Sequence, residues 1–404
     1  MNRSGHADLP LHYGTVPPWL ATRMAQLGRA ITESILIEYG PHTFIQRMSD
    51  PLWFQSLGAV MGMDWHSSGI TTSVVGALKR AINPISDQLG LYVCGGRGKY
   101  SRQTPQELMK IAMKTGLDGD ELVRSSKLSA KVDNTSIQDG FSIYLHSFFL
   151  AKDGQWSVVQ QGMNGATGYA RRYHWHSQAF QDFLKEPHTS VVGPNQGEIL
   201  NLTANEADKT KDGILELTKE KPGIISREAQ RYVLMPPHHE VRAKDIDLKR
   251  LGSVLALAHD SDINNFEELL LLKGVGPRTL QSLTLVSEVI HGTPSRFTDP
   301  ARFSFAHGGK DGHPFPVPLK TYDETLNILR TGLEKAKIGH SDKLRAVKSL
   351  SQIAQRLEDS FTPNANFEEV IAKERAESYK YGGMTVKGPA KKPAAKSSPQ
   401  LQLF

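Results

Sequence analysis

The segment that most constrains this chain is a short glycine-rich turn, Leu272–Thr279, between two apolar helical patterns. Apolar residues recur at a helical spacing on both sides of the turn, which predicts a helix before it and another after it, over 262–292. Gly274 and Gly276 have no Cβ, so the backbone at these positions can take positive φ and approach another molecule closely. Pro277 suits the first position of the second helix, where its missing N–H costs nothing.

The same turn has the features of an anion-binding site. Free N–H groups at the start of a helix attract anions, and Arg278 stands beside them to pair with a phosphate oxygen. The pattern resembles the helix-hairpin-helix motif, which binds the DNA backbone in repair enzymes, ligases and polymerases. The alternative is a glycine-rich turn that only joins two packed helices. The resemblance implies these DNA-binding residues: Gly274, Val275, Gly276, Pro277, Arg278 and Thr279.

Composition restricts the class of protein. With 404 residues, and roughly 150 residues per domain as a prior, we expect two or three domains. A formal net charge of +6 permits a polyanionic partner. The single cysteine, Cys94, excludes an intramolecular disulfide framework. Apolar runs fall far short of the ~20 residues of a membrane span, and the N-terminus lacks the apolar core of a signal peptide. We therefore expect a cytoplasmic, nucleoid-associated protein with no membrane partner.

The order of the predicted elements divides the chain into three parts. Residues 1–225 predict an α+β domain with a β-hairpin, whose strands Phe141–Leu150 and Gln155–Met163 are joined by a Lys-Asp-Gly turn. Residues 240–380 predict an all-α domain that contains the helix-hairpin-helix. Residues 381–404 are rich in Lys, Pro, Ala and Ser and contain no acidic residue, which predicts a disordered basic tail.

Three stretches carry a resemblance to a known family. They are the loop at 3–20, the Trp-His-Ser-Ser-Gly sequence at 65–69, and the Asp-Pro-Ala-Arg…His-Gly-Gly-Lys-Asp-Gly-His sequence at 299–313. Over about residues 1–380 the chain resembles the archaeal and bacterial family called domain of unknown function 763. The family name carries no activity, so this resemblance implies an architecture and little chemistry.

The segment after the hairpin contains most of the candidate catalytic residues. Helix-hairpin-helix DNA glycosylases place a catalytic aspartate shortly after the second helix, which implies that role for Asp299. Arg278 stands where the bifunctional members carry a nucleophilic lysine, and a guanidinium cannot attack carbon. Alternatively, Asp299 caps a helix that begins at Pro300. A second set, flanked by glycines, could form a Schiff base, move protons or hold a metal: Lys310, Asp311 and His313.

Another candidate group lies in the N-terminal part and consists of Lys131, Asp133 and Asp139. Lys131 offers a second amine for a Schiff base. Asp139 stands at the mouth of a predicted strand, and with Gln160 and Gln161 on the next strand it faintly resembles a metal-dependent nuclease core, although the expected acid-x-Lys is missing. For this group, as for 310–313, the alternative is a salt-bridged or solvated loop.

Two basic stretches are candidates for contact with nucleic acid. Arg171 and Arg172 lie among aromatic residues, a composition typical of nucleic-acid surfaces, although a half-buried strand edge with exposed arginines has the same composition. The glycine-rich turn at 95–100 carries Arg97 and Lys99 and could hold a phosphate, or could be a plain turn. It lacks the spacing of a Walker motif, so we do not expect ATP binding there.

The last five residues, Gln-Leu-Gln-Leu-Phe, resemble the bacterial sliding-clamp-binding pentapeptide. The apolar pair can enter a pocket of the clamp while the glutamine amide anchors the far end. A chance mixture of polar and apolar residues is the alternative. The resemblance implies a second partner, the sliding clamp, and assigns it to these residues: Gln400, Leu401, Leu403 and Phe404.

Together these features predict a DNA-repair protein that binds DNA through its hairpin and is tethered to the sliding clamp. The expected reaction is that of a DNA glycosylase/lyase, which needs no cofactor. One alternative is a metal-dependent nuclease, which would need a divalent metal ion. The other is a non-catalytic adaptor that binds DNA and delivers a partner.

Overall fold

The computed structural model describes residues 18–63, 68–225, 248–261 and 263–301, with a few short or isolated positions elsewhere. The strands of this part are β1 (Leu9–Pro10), β2 (Leu91–Arg97), β3 (Ile137–Gln138), β4 (Ser142–Ala151), β5 (Trp156–Asn164), β6 (Tyr169–His176), β7 (His188–Val192), β8 (Glu198–Asn201) and β9 (Phe297–Thr298). The helices are α1 (Pro18–Met48), α2 (Pro51–Val60), α3 (Gly69–Ile82), α4 (Ser86–Leu89), α5 (Thr104–Thr115), α6 (Gly119–Lys131), α7 (Asp208–Lys219), α8 (Leu248–Asp260), α9 (Phe266–Leu271) and α10 (Pro277–His291).

An antiparallel sheet lies at the centre of the fold. Its strand order is β1-β6-β5-β4-β2, and β7 also pairs with β6. The predicted β-hairpin is confirmed as β4 and β5, which pair next to their turn through Leu150 and Trp156. A smaller antiparallel sheet has the order β3-β8-β9, and in it Ile199 pairs with Phe297 from the segment after α10.

Helices cover both faces of the central sheet. Successive residues of a strand point to opposite faces, so each strand contributes to two cores. On one face, Phe149 and Val159 pack in a cluster with α1, α2 and α3. On the other face, Phe148, Val158 and Trp175 pack in a cluster with α5 to α10. The result is a layer of helices, a layer of sheet and a second layer of helices.

The predicted all-α domain is not confirmed as a separate unit. Leu255 of α8, Leu269 of α9 and Leu283 of α10 belong to the same hydrophobic core as Phe148 and Trp175 of the sheet. The apolar faces of these helices are therefore buried against the α+β part of the chain. Most of the predicted boundary at 225–240 lies outside the described residues.

The tail differs in one place from its predicted disorder. Met384–Thr385 pairs with Gly388–Pro389 as two short antiparallel strands. The rest of 381–404 lies outside the described residues.

None of the helices in the described part of the chain is long and apolar enough to cross a membrane.

Candidate nucleic-acid interface

The predicted turn between two helices is present, and the sequence explains its ends. Asn265 caps α9 by accepting a hydrogen bond of 3.0 Å from the Glu268 N–H. Gly274 has a φ of 96°, a conformation that a side chain disfavours, and it reverses the chain after α9. Pro277 then occupies the first turn of α10, and Leu280 N donates to Gly276 O at 2.9 Å. Local chemistry therefore accounts for where α9 ends and where α10 begins.

The turn contains both buried and exposed residues. Val275 is 2% exposed and Thr279 is 1% exposed, so both anchor the turn in the core. Lys273, Gly274 and Arg278 are exposed. Among the residues that the structure describes, no ion-pair partner of Lys273 or Arg278 is found. The exposed edge of the turn therefore consists of the side chains of Lys273 and Arg278 and the backbone of Gly274, which has no Cβ.

Two side chains from the sheet-bearing part hold the turn in place. Lys131, the last residue of α6, donates a hydrogen bond from Nζ to the carbonyl oxygen of Val275. Gln138 of β3 donates from Nε2 to the carbonyl oxygen of Pro277 at 2.8 Å. Neither contact could be predicted from local sequence, since about 140 residues separate the partners. Gln138 is thus a positioning residue that sequence reasoning missed.

Lys131 combines this position with an altered proton affinity. It is half-buried, and burial lowers the pKa of its ammonium group. A lysine whose pKa is lowered holds a larger fraction of the neutral amine, the form that attacks carbon. The structure thus brings one predicted catalytic residue into contact with the predicted DNA-binding turn.

Three other predicted site residues form one buried ion-pair cluster. Arg171 donates to Asp139 at 2.8 Å, and it binds both carboxylate oxygens of Asp299 at 3.0 and 2.8 Å. The side chains of all three are at most 1% exposed. Tyr173 donates its hydroxyl to Asp139 at 2.5 Å, and Phe141 packs its ring 4.9 Å from the guanidinium carbon.

The charges in this cluster determine its protonation. Burial alone would lower the pKa of Arg171, but Asp139 and Asp299 together outweigh it, and the pKa is raised. Burial raises the pKa of Asp139, although Arg171 and Tyr173 oppose that effect. Arg171 therefore stays charged and joins Asp139 to Asp299, which lies in the segment after β9.

The prediction that Arg171 and Arg172 face nucleic acid is wrong for both residues. Each is 0% exposed, because β6 lies inside the sheet with helices over both faces. Arg172 points to the face opposite Arg171 and donates to Gln55 at 2.9 Å and to His174 Nε2 at 2.9 Å. Burial lowers the pKa of Arg172 to about 9.

The residues of the suggested nuclease core do not converge. Asp139 binds Arg171, whereas Gln160 donates to Asp133 on the same face of the sheet. Gln161 points to the other face, where it donates to the Ser68 carbonyl oxygen at 2.9 Å. A search of the described part of the chain finds no group of three or more His, Cys, Asp or Glu side chains placed to hold a metal ion.

A buried polar chain around Asp133 was not predicted from the sequence. Asp133 accepts hydrogen bonds from Trp175 Nε1 at 3.0 Å, from His188 at 2.5 Å and from Gln160. Gln160 also accepts from His146 Nδ1 at 2.8 Å, and His146 Nε2 lies 2.9 Å from the hydroxyl of Ser126. Burial lowers the pKa of His146 to about 4, so the imidazole is neutral at pH 7 and its Nε2 accepts a hydrogen bond from the Ser126 hydroxyl.

Two sets of predicted residues lie outside the described part of the chain. They are the candidate catalytic residues Lys310, Asp311 and His313, and the candidate clamp-binding residues Gln400, Leu401, Leu403 and Phe404.

Comparisons with known proteins give one match. The family model described as "Protein of unknown function (DUF763)" matches residues 5–317, which is more than half of the chain, so the resemblance to that family is confirmed. No curated protein and no solved structure matches the chain.

Proposed function

We propose that this chain, which belongs to the DUF763 family of proteins of unknown function, binds the backbone of DNA through the turn Leu272–Thr279. The observation that carries the proposal is the division of this turn into a buried anchor and an exposed basic edge. Val275 is 2% exposed, whereas Lys273, Gly274 and Arg278 face outward.

Each exposed component of the turn can contribute to binding of a phosphate group. The N-terminus of α10 attracts a negative charge, and Arg278 can donate two parallel hydrogen bonds to phosphate oxygens. Gly274 allows the DNA backbone to approach the protein backbone closely. None of these contacts reaches a base edge, so the binding is independent of sequence.

The test is DNA binding by fluorescence anisotropy, with duplexes of unrelated sequence and a series of salt concentrations. Arg278→Ala removes a charge-assisted contact worth about 1–3 kcal/mol, and affinity for every duplex is expected to fall similarly. The slope of log K against log salt should also fall by about 0.9, since one phosphate contact is lost. Lys152→Ala is the control, because Lys152 is an exposed cation in the β4–β5 turn. Equal affinities of Arg278→Ala and wild type at moderate salt would contradict the proposal.

For the chemistry, the position of Lys131 favours lyase action on DNA that has lost a base. The amine attacks C1′ of the ring-opened sugar, water leaves, and an imine joins the lysine to the DNA. Water then removes a proton from C2′, the C3′–O bond breaks with phosphate as the leaving group, and hydrolysis of the imine releases the lysine. The hydrogen bond from Lys131 to Val275 supports this assignment, because it places the amine against the turn proposed to hold the backbone. The other candidate for the nucleophilic lysine is Lys310, in the segment 310–313.

We also propose that the C-terminal pentapeptide 400–404 tethers the protein to the bacterial sliding clamp. The proposal rests on its sequence, Gln-Leu-Gln-Leu-Phe, and on the basic segment that precedes it. A tether of this kind raises the effective concentration of the hairpin at DNA that carries a clamp.

A further inference from the structure

A second basic surface lies where β2 ends, in the segment 97–102. Arg97, Lys99 and Arg102 are exposed, and Tyr100 is 49% exposed. Tyr144, near the start of β4, adds a second ring, and the Arg97 guanidinium carbon lies 5.9 Å from its centroid. We call these five residues the Tyr100 patch.

The Tyr100 patch is held in a defined shape. Tyr144 accepts a hydrogen bond of 2.5 Å at its hydroxyl from Gln161, a side chain that is 0% exposed. Gly96 has a φ of 132°, and a Cβ at this position would lie 3.4 Å from Cβ of Tyr100. Gly98 has a φ of 60°, and Ser101 Oγ donates to its carbonyl oxygen at 2.6 Å. Two glycines at positive φ therefore set the direction in which Tyr100 leaves the backbone.

No acidic residue neutralises the patch from its own segments, since neither 97–103 nor 140–144 contains Asp or Glu. The first acidic residue along the chain, Glu107, is engaged by Lys79 Nζ at 2.7 Å and by the N–H of Gly95 at 2.6 Å. Among the described residues, no ion-pair partner of Arg102 is found. Within the described part of the chain, the patch therefore combines positive charges that no ion pair offsets with aromatic rings.

The patch and the hairpin turn lie at the same end of the sheet. Arg97 pairs with Leu145 near the start of β4, whereas the β4–β5 turn lies at the opposite end. Ile143 N donates to Asn134 Oδ1 at 3.4 Å, and Asn134 belongs to the π-helical turn Val132–Ser136 that follows Lys131. Lys131 in turn contacts Val275 of the hairpin. Both surfaces therefore lie at this end of the sheet, and a nucleic acid bound at the hairpin would pass the end of the sheet to reach the patch.

The chemistry of the patch differs from that of the hairpin. The hairpin offers cations and backbone N–H groups, which recognise phosphates. The patch adds the rings of Tyr100 and Tyr144 and the planar guanidinium of Arg97, on which unpaired bases stack. A base inside a duplex is already stacked on its neighbours, so rings on a protein surface serve single strands. An acidic protein partner could also use the cations, but two rings beside a planar guanidinium match the faces of unpaired bases.

We propose that the Tyr100 patch binds the unpaired bases of a single-stranded segment of DNA whose neighbouring duplex is held by the hairpin. The inference rests on the proposed function of the hairpin and names the class of substrate, a duplex that continues into a single strand.

The test measures anisotropy of the full chain with three probes: a blunt duplex, the same duplex with a single-stranded tail, and the single strand alone. Stacking on a ring strengthens binding of each base markedly, so the tail is expected to raise affinity about tenfold over the blunt duplex. Tyr100→Ala should remove most of that gain and leave blunt-duplex affinity unchanged. Tyr100→Phe keeps the ring and should keep the gain. Tyr39→Ala is the matched control, since Tyr39 is 41% exposed and lies three residues before His42, which contacts Asp153 in the β4–β5 turn.

The outcomes separate the patch from the hairpin. Arg278→Ala should weaken binding of both duplexes and leave the ratio between them unchanged. Two results would overturn the patch proposal and leave the hairpin proposal intact. One is equal binding of both duplexes by the wild-type protein, and the other is a Tyr100→Ala protein that still binds the tailed duplex more tightly. Binding of the single strand that depends on Tyr100, without any binding of the blunt duplex, overturns the hairpin proposal and supports the patch. No binding of any probe overturns both.

Discussion

Lys131 donates a hydrogen bond from its side-chain nitrogen to the main-chain carbonyl oxygen of Val275, at the centre of the hairpin turn. The contact joins the end of α6, on the sheet-bearing part of the chain, to the turn between α9 and α10. Burial also lowers the pKa of Lys131, so its ammonium group loses its proton more readily. The contact places this amine beside the proposed phosphate-binding edge. The turn is therefore part of a composite surface.

This contact leads to a prediction about covalent chemistry. With DNA that contains an abasic site, borohydride should trap the wild-type protein as a covalent adduct, because it reduces the imine to a stable amine. Lys131→Ala should abolish the adduct and leave DNA binding largely intact. The readout is the shifted band of the cross-linked species on a denaturing gel.

The control for this prediction is Lys127→Ala, since Lys127 is an exposed lysine one helical turn earlier on α6. It should trap like wild type. Loss of the adduct in Lys310→Ala, with trapping intact in Lys131→Ala, would move the reaction to the segment at 310–313. Trapping by both variants would contradict both choices of lysine, and a wild-type protein that never traps would contradict the lyase mechanism.

A second prediction concerns the two glycines of the turn. Gly274 has a φ of 96°, whereas Gly276 has a φ of −145°, an extended conformation that any residue adopts. Gly274→Ala should therefore lower the free energy of unfolding by about 1–2 kcal/mol, the usual cost of a side chain in the left-handed region. Gly276→Ala carries no such cost and is the matched control in urea denaturation. Equal stabilities of the two variants would show that the positive φ at Gly274 does not penalise a side chain at this position.

The turn between α9 and α10 could be predicted from sequence because the residues that shape it are local. The leucine spacing, the glycines and Pro277 all act within a few residues, and α10 begins at Pro277 as expected. Strand β6 shows the opposite case. Arg171 and Arg172 look like surface residues because charge and aromatic rings dominate their neighbourhood. Their burial depends on pairing along the whole of β5 and on Asp299, which is 128 residues away from Arg171. Nothing in the sequence near Arg171 indicates that Asp299 is its partner.

The same reasoning explains why three residues around position 135 have different partners in the fold. Lys131, Asp133 and Asp139 are close in sequence and could be taken for one site. In the fold, Lys131 contacts the hairpin, Asp133 binds His188, and Asp139 binds Arg171. The π-helical turn Val132–Ser136 rotates the intervening residues, so neighbours in sequence point in different directions. Proximity along the chain therefore does not by itself place these three residues in one site.

A third prediction tests the buried ion-pair cluster. Arg171→Met removes the guanidinium and leaves Asp139 and Asp299 without their shared counter-ion in the core. The free energy of unfolding should fall by about 3–5 kcal/mol, the usual cost of removing one partner of a buried pair. Arg102→Met, at an exposed arginine, should change it by less than about 0.5 kcal/mol. A small effect of Arg171→Met in urea denaturation would contradict a structural role for the cluster.

A fourth prediction concerns acid. The pKa of His146 is lowered by burial to about 4, below its ordinary value of 6.5. Its neutral form therefore contributes stability that is present above pH 6.5 and is lost as the pH falls toward 4. The free energy of unfolding should decrease over this window with a slope that approaches about 1.4 kcal/mol per pH unit for this histidine.

The measurement is urea denaturation at several values of pH between 7.5 and 4.5. His146→Gln removes the titrating group, so its stability should depend less steeply on pH than that of wild type, even if its stability at pH 7.5 is lower. His259→Gln changes an exposed histidine and serves as the control. An unchanged slope in His146→Gln would show that other groups dominate acid unfolding.

The last prediction concerns the C-terminal pentapeptide, which lies outside the described residues. Burial of Leu403 and Phe404 in an apolar pocket contributes about 1.5–3 kcal/mol each, and the Gln400 amide adds hydrogen bonds. Deletion of 400–404 should abolish binding of the bacterial sliding clamp in a pull-down and leave the fold and the hairpin's affinity for DNA unchanged. Gln402→Ala is the matched control, since Gln402 is not among the residues assigned to the clamp contact, and this variant should retain binding. On DNA that carries a clamp, the full chain should bind more tightly than the truncated chain, because the two weak contacts act together. Clamp binding by the truncated chain at the full-length level would mean that the contact lies elsewhere in the protein.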